Sequence, residues 1–238
     1  PTSGGSYVYI ERVFGPMYGT MTGLALWASF LLKAAFALIG FSAYLMFVQS
    51  YLGTDITDIQ AALGMLVLIT MINVLGLKRI KAVQTPIVTI SILMLLILTL
   101  WAIMSGEADY SRSIPTLETR EDWMTMGEAA SLVLVSYAGV TKVAAIGGEI
   151  KNPGKNLPGG IITSLVIGMV LYATLVATMT AVIPPEAFFD SHGHPIEDPV
   201  RAFAEIVGGS SAAVFAAVVA ILTMTSMALA GILAASRY

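Results

Sequence analysis

No cysteine occurs among the 238 residues, which removes disulfides, thiolate metal sites and thiol nucleophiles from consideration. Charge is scarce as well. Asp, Glu, Lys and Arg together make up 11% of the chain against 57% hydrophobic residues, and the mean hydropathy is +0.84. So apolar a chain lies outside the composition of soluble domains. An excess of positive charge is missing too: the net charge is −3, which implies no nucleic-acid partner. Histidine is limited to His192 and His194, flanked by Gly193 and Pro195 with Asp190 and Glu197 nearby. That is a weak metal pattern and reads as a solvated loop, so neither a metal nor a cofactor is expected. No pair of aspartates and no Ser-His pair falls inside an apolar run, which argues against an intramembrane protease and against an enzyme in general. No basic stretch followed by an apolar stretch and a small-residue cleavage site opens the chain. The sequence begins at Pro1, and Arg237-Tyr238 follows directly on an apolar run; both termini are read as cuts in something longer.

What is abundant is long apolar runs. They extend from Met17 to Val48, Ile56 to Leu77, Ile87 to Met104, Ala129 to Ile146 (short and interrupted), Ile161 to Ile183 and Ala212 to Ala235. A membrane-spanning helix needs about 20 apolar residues, and the runs are continuous rather than alternating, which selects helices over a barrel. The expected fold is therefore an all-α polytopic membrane protein with six spans in one transmembrane domain. The intervening segments, Thr54–Asp58, Gly76–Thr85, Ser105–Glu128, Gly147–Gly159 and Pro184–Gly209, are rich in Gly, Pro or charge, as loops are. Asp198–Val207 reads as a short interfacial helix.

If the spans alternate, one set of loops carries Arg12, Lys78, Arg79, Lys81, Lys151, Lys155 and Arg237, and the other only Arg112, Arg120 and Arg201. The first set is cytoplasmic by the positive-inside rule. Acidic residues distribute the opposite way, with only Glu11 and Glu149 on the cytoplasmic side. Tyr7, Tyr9, Tyr18, Trp101 and Trp123 read as interfacial anchors. Gly15, Gly19 and Gly23, like Gly160, Ser164 and Gly168, are spaced four apart and form close-approach faces for neighbouring helices.

Two motifs go beyond membrane anchoring. Ser136-Tyr137-Ala138-Gly139-Val140 lies in a run that also contains Ser131, Thr141 and Lys142, too polar to suit lipid. A discontinuous helix is one reading; its free N–H groups suit a carboxylate and its free carbonyls an ammonium, the polarity of an amino acid. A glycine kink at a helix crossing is the other. The second motif is Glu149-Ile150-Lys151-Asn152-Pro153, continuing to Pro158. Its prolines are expected to forbid a continuous helix and to impose a charged cytoplasmic turn.

Ser136 to Pro158 resembles a segment of the amino acid-polyamine-organocation (APC) permeases, whose sixth helix passes through a tyrosine-containing break into a Glu-x-Lys-Asn-Pro loop. Pro1 to Tyr9, followed by Phe14-Gly15, is similar to that family's junction between helices two and three. The two matches are separated by the number of spans the family has between them, so the resemblance covers nearly the whole chain, from the end of helix two through helix eight. It implies part of an inverted-repeat, leucine-transporter-like helical bundle. The first helix, with its own glycine-rich break, would lie before Pro1, and helices nine onward would follow Tyr238.

The resemblance implies a secondary active permease in the plasma membrane that moves amino acids by alternating access, coupled to H+ or Na+. Ser136, Tyr137, Ala138, Gly139 and Val140 would hold the substrate. Polyamine or inorganic-cation transport, or a transporter-like sensor, are the alternatives; a cationic solute would favour carboxylates in the cavity, and apart from Asp58 at the edge of its run the spans show none. Lys33, near the middle of its run, and Lys142 are intramembrane charges, which cost ~2.5–3.5 kcal/mol each at mid-bilayer and call for a partner or a purpose. Proton coupling is one purpose; snorkelling is the alternative for Lys33, and for Lys142 pairing with Glu149 or access to cytoplasmic water. In some members of the family a lysine on the fifth helix takes the place of a sodium ion, whereas Ile87 to Ala102 here carries no charge. Thr225 and Ser226 offer hydroxyls where sodium-coupled relatives bind an ion, though helix packing accounts for them equally.

Overall fold

A computed structural model describes residues 6–53, 56–75, 77–106, 108–114, 118–137, 152–190 and 193–235. The regular structure is helical: α1 (Ser6–Phe14), α2 (Pro16–Leu52), α3 (Asp58–Leu75), α4 (Leu77–Ser105), α5 (Arg120–Tyr137), α6 (Pro153–Val182) and α7 (Pro199–Ala235), with 3-10 turns at Tyr110–Ser113 and Pro185–Phe188. No strand occurs among the described residues beyond an isolated bridge between Phe189 and Pro195. Among them, α2, α4, α6 and α7 contain stretches long and apolar enough to cross a membrane, and Ile59–Val74 of α3 is a shorter apolar helix. The chain is an all-α, multi-pass integral membrane protein.

Helix starts follow their local chemistry. At α3, the Thr57 amide donates to Gln60 Oε1 (3.1 Å) and the Gln60 amide to Thr57 Oγ1 (3.4 Å), a reciprocal capping box. At α5, Asp122 Oδ2 accepts from the Thr119 amide (2.7 Å) and hydroxyl (2.8 Å), while the Asp122 amide donates to Thr119 Oγ1 (3.2 Å). This cap starts α5 at Arg120, so the segment up to Glu128, expected to be loop, is helical. The same holds for Leu77–Thr85, which opens α4 and carries Lys78, Arg79 and Lys81; its Leu, Lys, Arg, Ala and Gln favour helix. The expected break at Pro158 is also corrected, because α6 starts at Pro153 and runs through Pro158. Pro153 occupies the first helical position, where its missing N–H costs nothing, and Asn152 before it adopts φ 50 and accepts from the Lys155 and Asn156 amides. Pro158 forfeits one bond to residue 154, a glycine with no side chain to crowd the ring.

The described chain divides into two compact units, residues 1–27 with 114–174, and residues 28–113 with 175–237. In the first, α1 lies against the opening turns of α2. A Cβ on Gly19 would sit 2.5 Å from Glu11 Cβ, so the close approach of the two helices needs glycine there; at Gly23 a Cβ would make ordinary contact with the Tyr7 ring at 3.7 Å, and at Gly15 it would meet nothing within 4 Å.

In the second unit α7 is central. Its face of Ala216, Val219, Phe203 and Ala204 meets Met94, Leu98 and Ala102 of α4 and Leu175 and Met179 of α6, while Ala228 and Leu229 meet Ala37 and Phe41 of α2 and Ala61, Met65 and Ile69 of α3. Small residues on α7 bring backbones close, the usual basis of helix association where lipid offers no hydrophobic drive. Gly209 interrupts α7 with φ 71 and ψ −170, a conformation open to glycine alone. It sets off a first segment, Pro199–Gly208, close to the short helix expected over Asp198–Val207.

The loop after α4 is clipped to α6: the Asp109 amide donates to the Ala181 carbonyl (3.0 Å) and the Ser113 hydroxyl to that of Ala177 (2.8 Å). Asp109 is braced by the Ser111 hydroxyl (2.6 Å) and amide (3.1 Å), which hold its carboxyl below the ordinary value of 3.8. Because the folded pKa is depressed, this contribution is complete above 3.8 and lost as pH falls through the depressed value. Hydrogen exchange of the Ser111 amide is therefore expected to stay slow down to pH 4 and to accelerate on further acidification beyond the intrinsic rate change. Asp109→Asn should remove that acid limb.

Candidate functional site

α5 ends, within the described residues, at the first half of the expected substrate segment. Ser136 Oγ donates back to the Leu132 carbonyl (3.4 Å), an intrahelical bond. The Tyr137 ring packs against Tyr172 of α6 with centroids 5.7 Å apart and planes tilted by 56°. Gly168, one turn before Tyr172, makes room for it: a Cβ there would lie 3.3 Å from Tyr137 Cε1. Tyr137 is thus seated on α6 by a glycine and a second aromatic. Ala138, Gly139, Val140, Lys142, Glu149 and Lys151 lie outside the described residues. Asn152 and Pro153, the end of the Glu-x-Lys-Asn-Pro motif, form the N-terminal boundary of α6.

In the same unit, Tyr7 and Glu11 of α1 and Thr20, Leu24 and Trp27 of α2 line an open pocket of about 430 Å³ floored by Gly19 and Gly23. Thr20 spends its hydroxyl on the Pro16 carbonyl (2.9 Å). Glu11 brings an exposed carboxylate to this pocket, and Trp27 an aromatic ring.

The second unit holds the other candidates. Lys33 is half-buried on α2, and among the described residues it makes no ion pair. Thr225 donates to the Ile221 carbonyl (2.7 Å), and the Ser226 carbonyl accepts from Gln84 Nε2 of α4 (3.2 Å). One turn away, Ser91 Oγ and Thr223 Oγ1 lie 2.6 Å apart. The Ser226 carbonyl and the Ser91–Thr223 hydroxyl pair thus join α4 to α7, while the Thr225 hydroxyl is spent within its own helix. Gln84, Ser91 and Tyr172 were not singled out from sequence; the signal available for the first two was a polar residue inside an apolar helix, and for Tyr172 its four-residue offset from Gly168.

At the outer end of α7, Arg201 pairs with Asp198 and Glu205, and its guanidinium lies 4.6 Å from the Phe47 ring centroid of α2. In the preceding loop the His194 amide donates to Asp190 Oδ1 (2.8 Å), a turn contact. Among the described residues no group of three His, Asp or Glu side chains is placed to hold a metal.

The profile of the amino acid permease family matches residues 1–238. The chain is 30% identical over 217 residues to the branched-chain amino acid permease BcaP of Bacillus subtilis (strain 168), covering 82% of this chain and 44% of that protein. It is 28% identical over 207 residues to the protein of the same name in Lactococcus lactis subsp. cremoris, covering 79% and 44%. It is 26% identical over 213 residues to the chloroplastic cationic amino acid transporter 6 of Arabidopsis thaliana, covering 80% and 36%. The chain spans less than half the length of these relatives. The match along every residue, on a bundle of apolar helices with a tyrosine seated at the end of α5, makes this chain a member of the amino acid permease family.

Proposed function

We propose that the chain is the central part of a cell-membrane permease that carries neutral amino acids by alternating access, with uptake driven by a cation gradient. The observation that carries this proposal is the family match along the whole chain. The names of the two bacterial relatives point to branched-chain substrates. Apart from Asp58 at the very start of its run, the apolar runs hold no carboxylate, which fits a neutral side chain better than a cationic one. In this proposal the segment Ser136, Tyr137, Ala138, Gly139 and Val140 forms half of the substrate site in an inverted-repeat bundle. Its free N–H groups meet the substrate carboxylate and its free carbonyls the ammonium.

Lys33 and Lys142 are the charges assigned to proton coupling. An uncompensated lysine inside a span is costly enough that a role is the economical explanation for Lys33.

The test is uptake of labelled leucine, isoleucine, valine, alanine, lysine and putrescine by the complete permease in proteoliposomes, with imposed proton or sodium gradients. Saturable accumulation of branched-chain amino acids, driven by the proton gradient and absent in Lys33→Met, is expected. Accumulation of putrescine alone would move the protein to the polyamine class, and binding without accumulation to the sensors.

A further inference from the structure

α1 and α2 form a hairpin of definite register. Gly19 faces Glu11 and Gly23 faces Tyr7, so the two helices run antiparallel from the reversal at Gly15, where φ is 93. The pocket along this hairpin, about 430 Å³, falls in the size range of small-molecule sites, roughly 300–1,000 Å³. Its polarity is graded. Glu11 and Thr20 line the end nearer the reversal, and Leu24 and Trp27 the end further along α2. At a rise of 1.5 Å per residue, Trp27 lies about 16 Å from the start of α2 at Pro16. That is close to the depth of one leaflet, half of a hydrocarbon core about 30 Å thick. Arg12 beside the reversal puts that end on the cytoplasmic side by the positive-inside rule.

Glu11 is the one charged residue in the lining. Its side chain is exposed, and among the described residues it makes no ion pair. Arg12 follows it in sequence but does not line the pocket. Thr20 offers no free donor, since its hydroxyl bonds the Pro16 carbonyl. Deeper in, Leu24 is 63% and Trp27 44% exposed, within a stretch of α2 apolar enough to cross a membrane.

The occupant that satisfies both ends has a cation at headgroup level and an apolar tail below it. A soluble cation would use the carboxylate and leave the apolar walls bare, and an anionic headgroup would be repelled by Glu11. A choline headgroup carries a cation without N–H donors, whereas a primary ammonium offers three. Charge-assisted hydrogen bonds to a carboxylate are the strong ones. We propose that the α1–α2 pocket binds an aminophospholipid of the cytoplasmic leaflet, with its ammonium on Glu11 and the upper part of an acyl chain along Gly23, Leu24 and Trp27. Glycine keeps this slot open: a Cβ at Gly23 makes only ordinary contact with Tyr7, so a larger side chain there enters the slot without forcing the helices apart. The proposal does not depend on the transport reading, and its test needs no transport.

The experiment is native mass spectrometry of the complete permease, delipidated in detergent and titrated with dioleoyl phosphatidylethanolamine, phosphatidylcholine or phosphatidylglycerol. Wild type, Glu11→Gln and Gly23→Leu are compared, with melting temperature as the control for folding. Wild type should bind one phosphatidylethanolamine about tenfold more tightly than phosphatidylcholine with the same chains, and phosphatidylglycerol no better than phosphatidylcholine. Glu11→Gln should lower the affinity for phosphatidylethanolamine to that for phosphatidylcholine, and Gly23→Leu should lose the selectively bound lipid. If Gly23→Leu does not fold, Glu11→Gln, which is nearly isosteric, decides alone. Preference for phosphatidylethanolamine that survives in Glu11→Gln overturns the proposal. Equal binding of the three lipids by wild type overturns it too, and assigns the pocket to another segment of the permease.

Discussion

Gly231→Val is expected to be the most destabilising single change in the second unit. Here α7 meets α2 through backbone: the Cβ that any substitution adds would stand 3.1 Å from the Phe30 carbonyl oxygen, 3.2 Å from Ala34 Cβ and 3.5 Å from Ala34 Cα. None of these atoms can rotate away, so the helices must separate, and the two methyl groups of valine widen the gap further. Overpacking of this kind costs roughly 1–3 kcal/mol, and the damage spreads to Ala228 and Leu229, which tie α7 to α2 and α3 one turn away. Gly40→Ala is the matched control. Its added Cβ would also be crowded, 3.3 Å from Met224 Sδ, but that atom is near the end of a flexible side chain and can swing aside. The expected result is a melting temperature lowered by several degrees for Gly231→Val and little changed for Gly40→Ala, measured on the detergent-purified protein. Equal behaviour of the two would show that the α2–α7 approach is not as tight as the Gly231 contacts imply.

Much of the architecture is legible in the sequence because lipid removes alternatives. A run such as Ile87 to Met104 can satisfy its backbone only as a helix, and α4 covers it. Helix ends were harder to read, since they depend on single caps and on prolines whose effect changes with position. Pro153 reads as a breaker until its place at the first helical position is known, and Leu77–Thr85 reads as loop because three basic residues outweigh its helix-forming composition.

At the candidate sites, intramembrane charge pointed to Lys33 and the polar run around Gly139 to Tyr137, because unusual residues in an apolar setting carry information by themselves. Ser91 carries no signal of its own in the sequence for a physical reason: an isolated hydroxyl in a helix acquires meaning only from what faces it. Sequence periodicity reports which residues share a face and not which face they meet. The four-residue spacing of Gly160, Ser164 and Gly168 suggests a close-approach face, but a Cβ at Gly160 would meet nothing within 4 Å, and that the Tyr137 ring fills the space at Gly168 follows only from the packing of α5 on α6.

That packing leads to the largest expected functional effect. Tyr137 is the last described residue of α5 and lies within the segment proposed to hold the substrate, and its ring is held by two features of α6, the space at Gly168 and the ring of Tyr172. An aromatic pair in this arrangement contributes about 0.5–1.5 kcal/mol beyond area burial, energy available to hold this part of α5 in place on α6. Tyr137→Ala should therefore weaken leucine binding to the complete permease about tenfold, since ~1.4 kcal/mol corresponds to a factor of ten. Gly168→Leu should do the same without touching Tyr137, because its side chain occupies the space of the ring. The double variant should be no worse than either single change, as expected when two residues act through one contact. Tyr137→Phe keeps the ring and should stay near wild type if seating is what matters. A loss with Tyr137→Phe as large as with Tyr137→Ala would assign the effect to the hydroxyl, making Tyr137 a direct substrate contact. Additive losses in the double variant would mean that Gly168 serves helix packing alone.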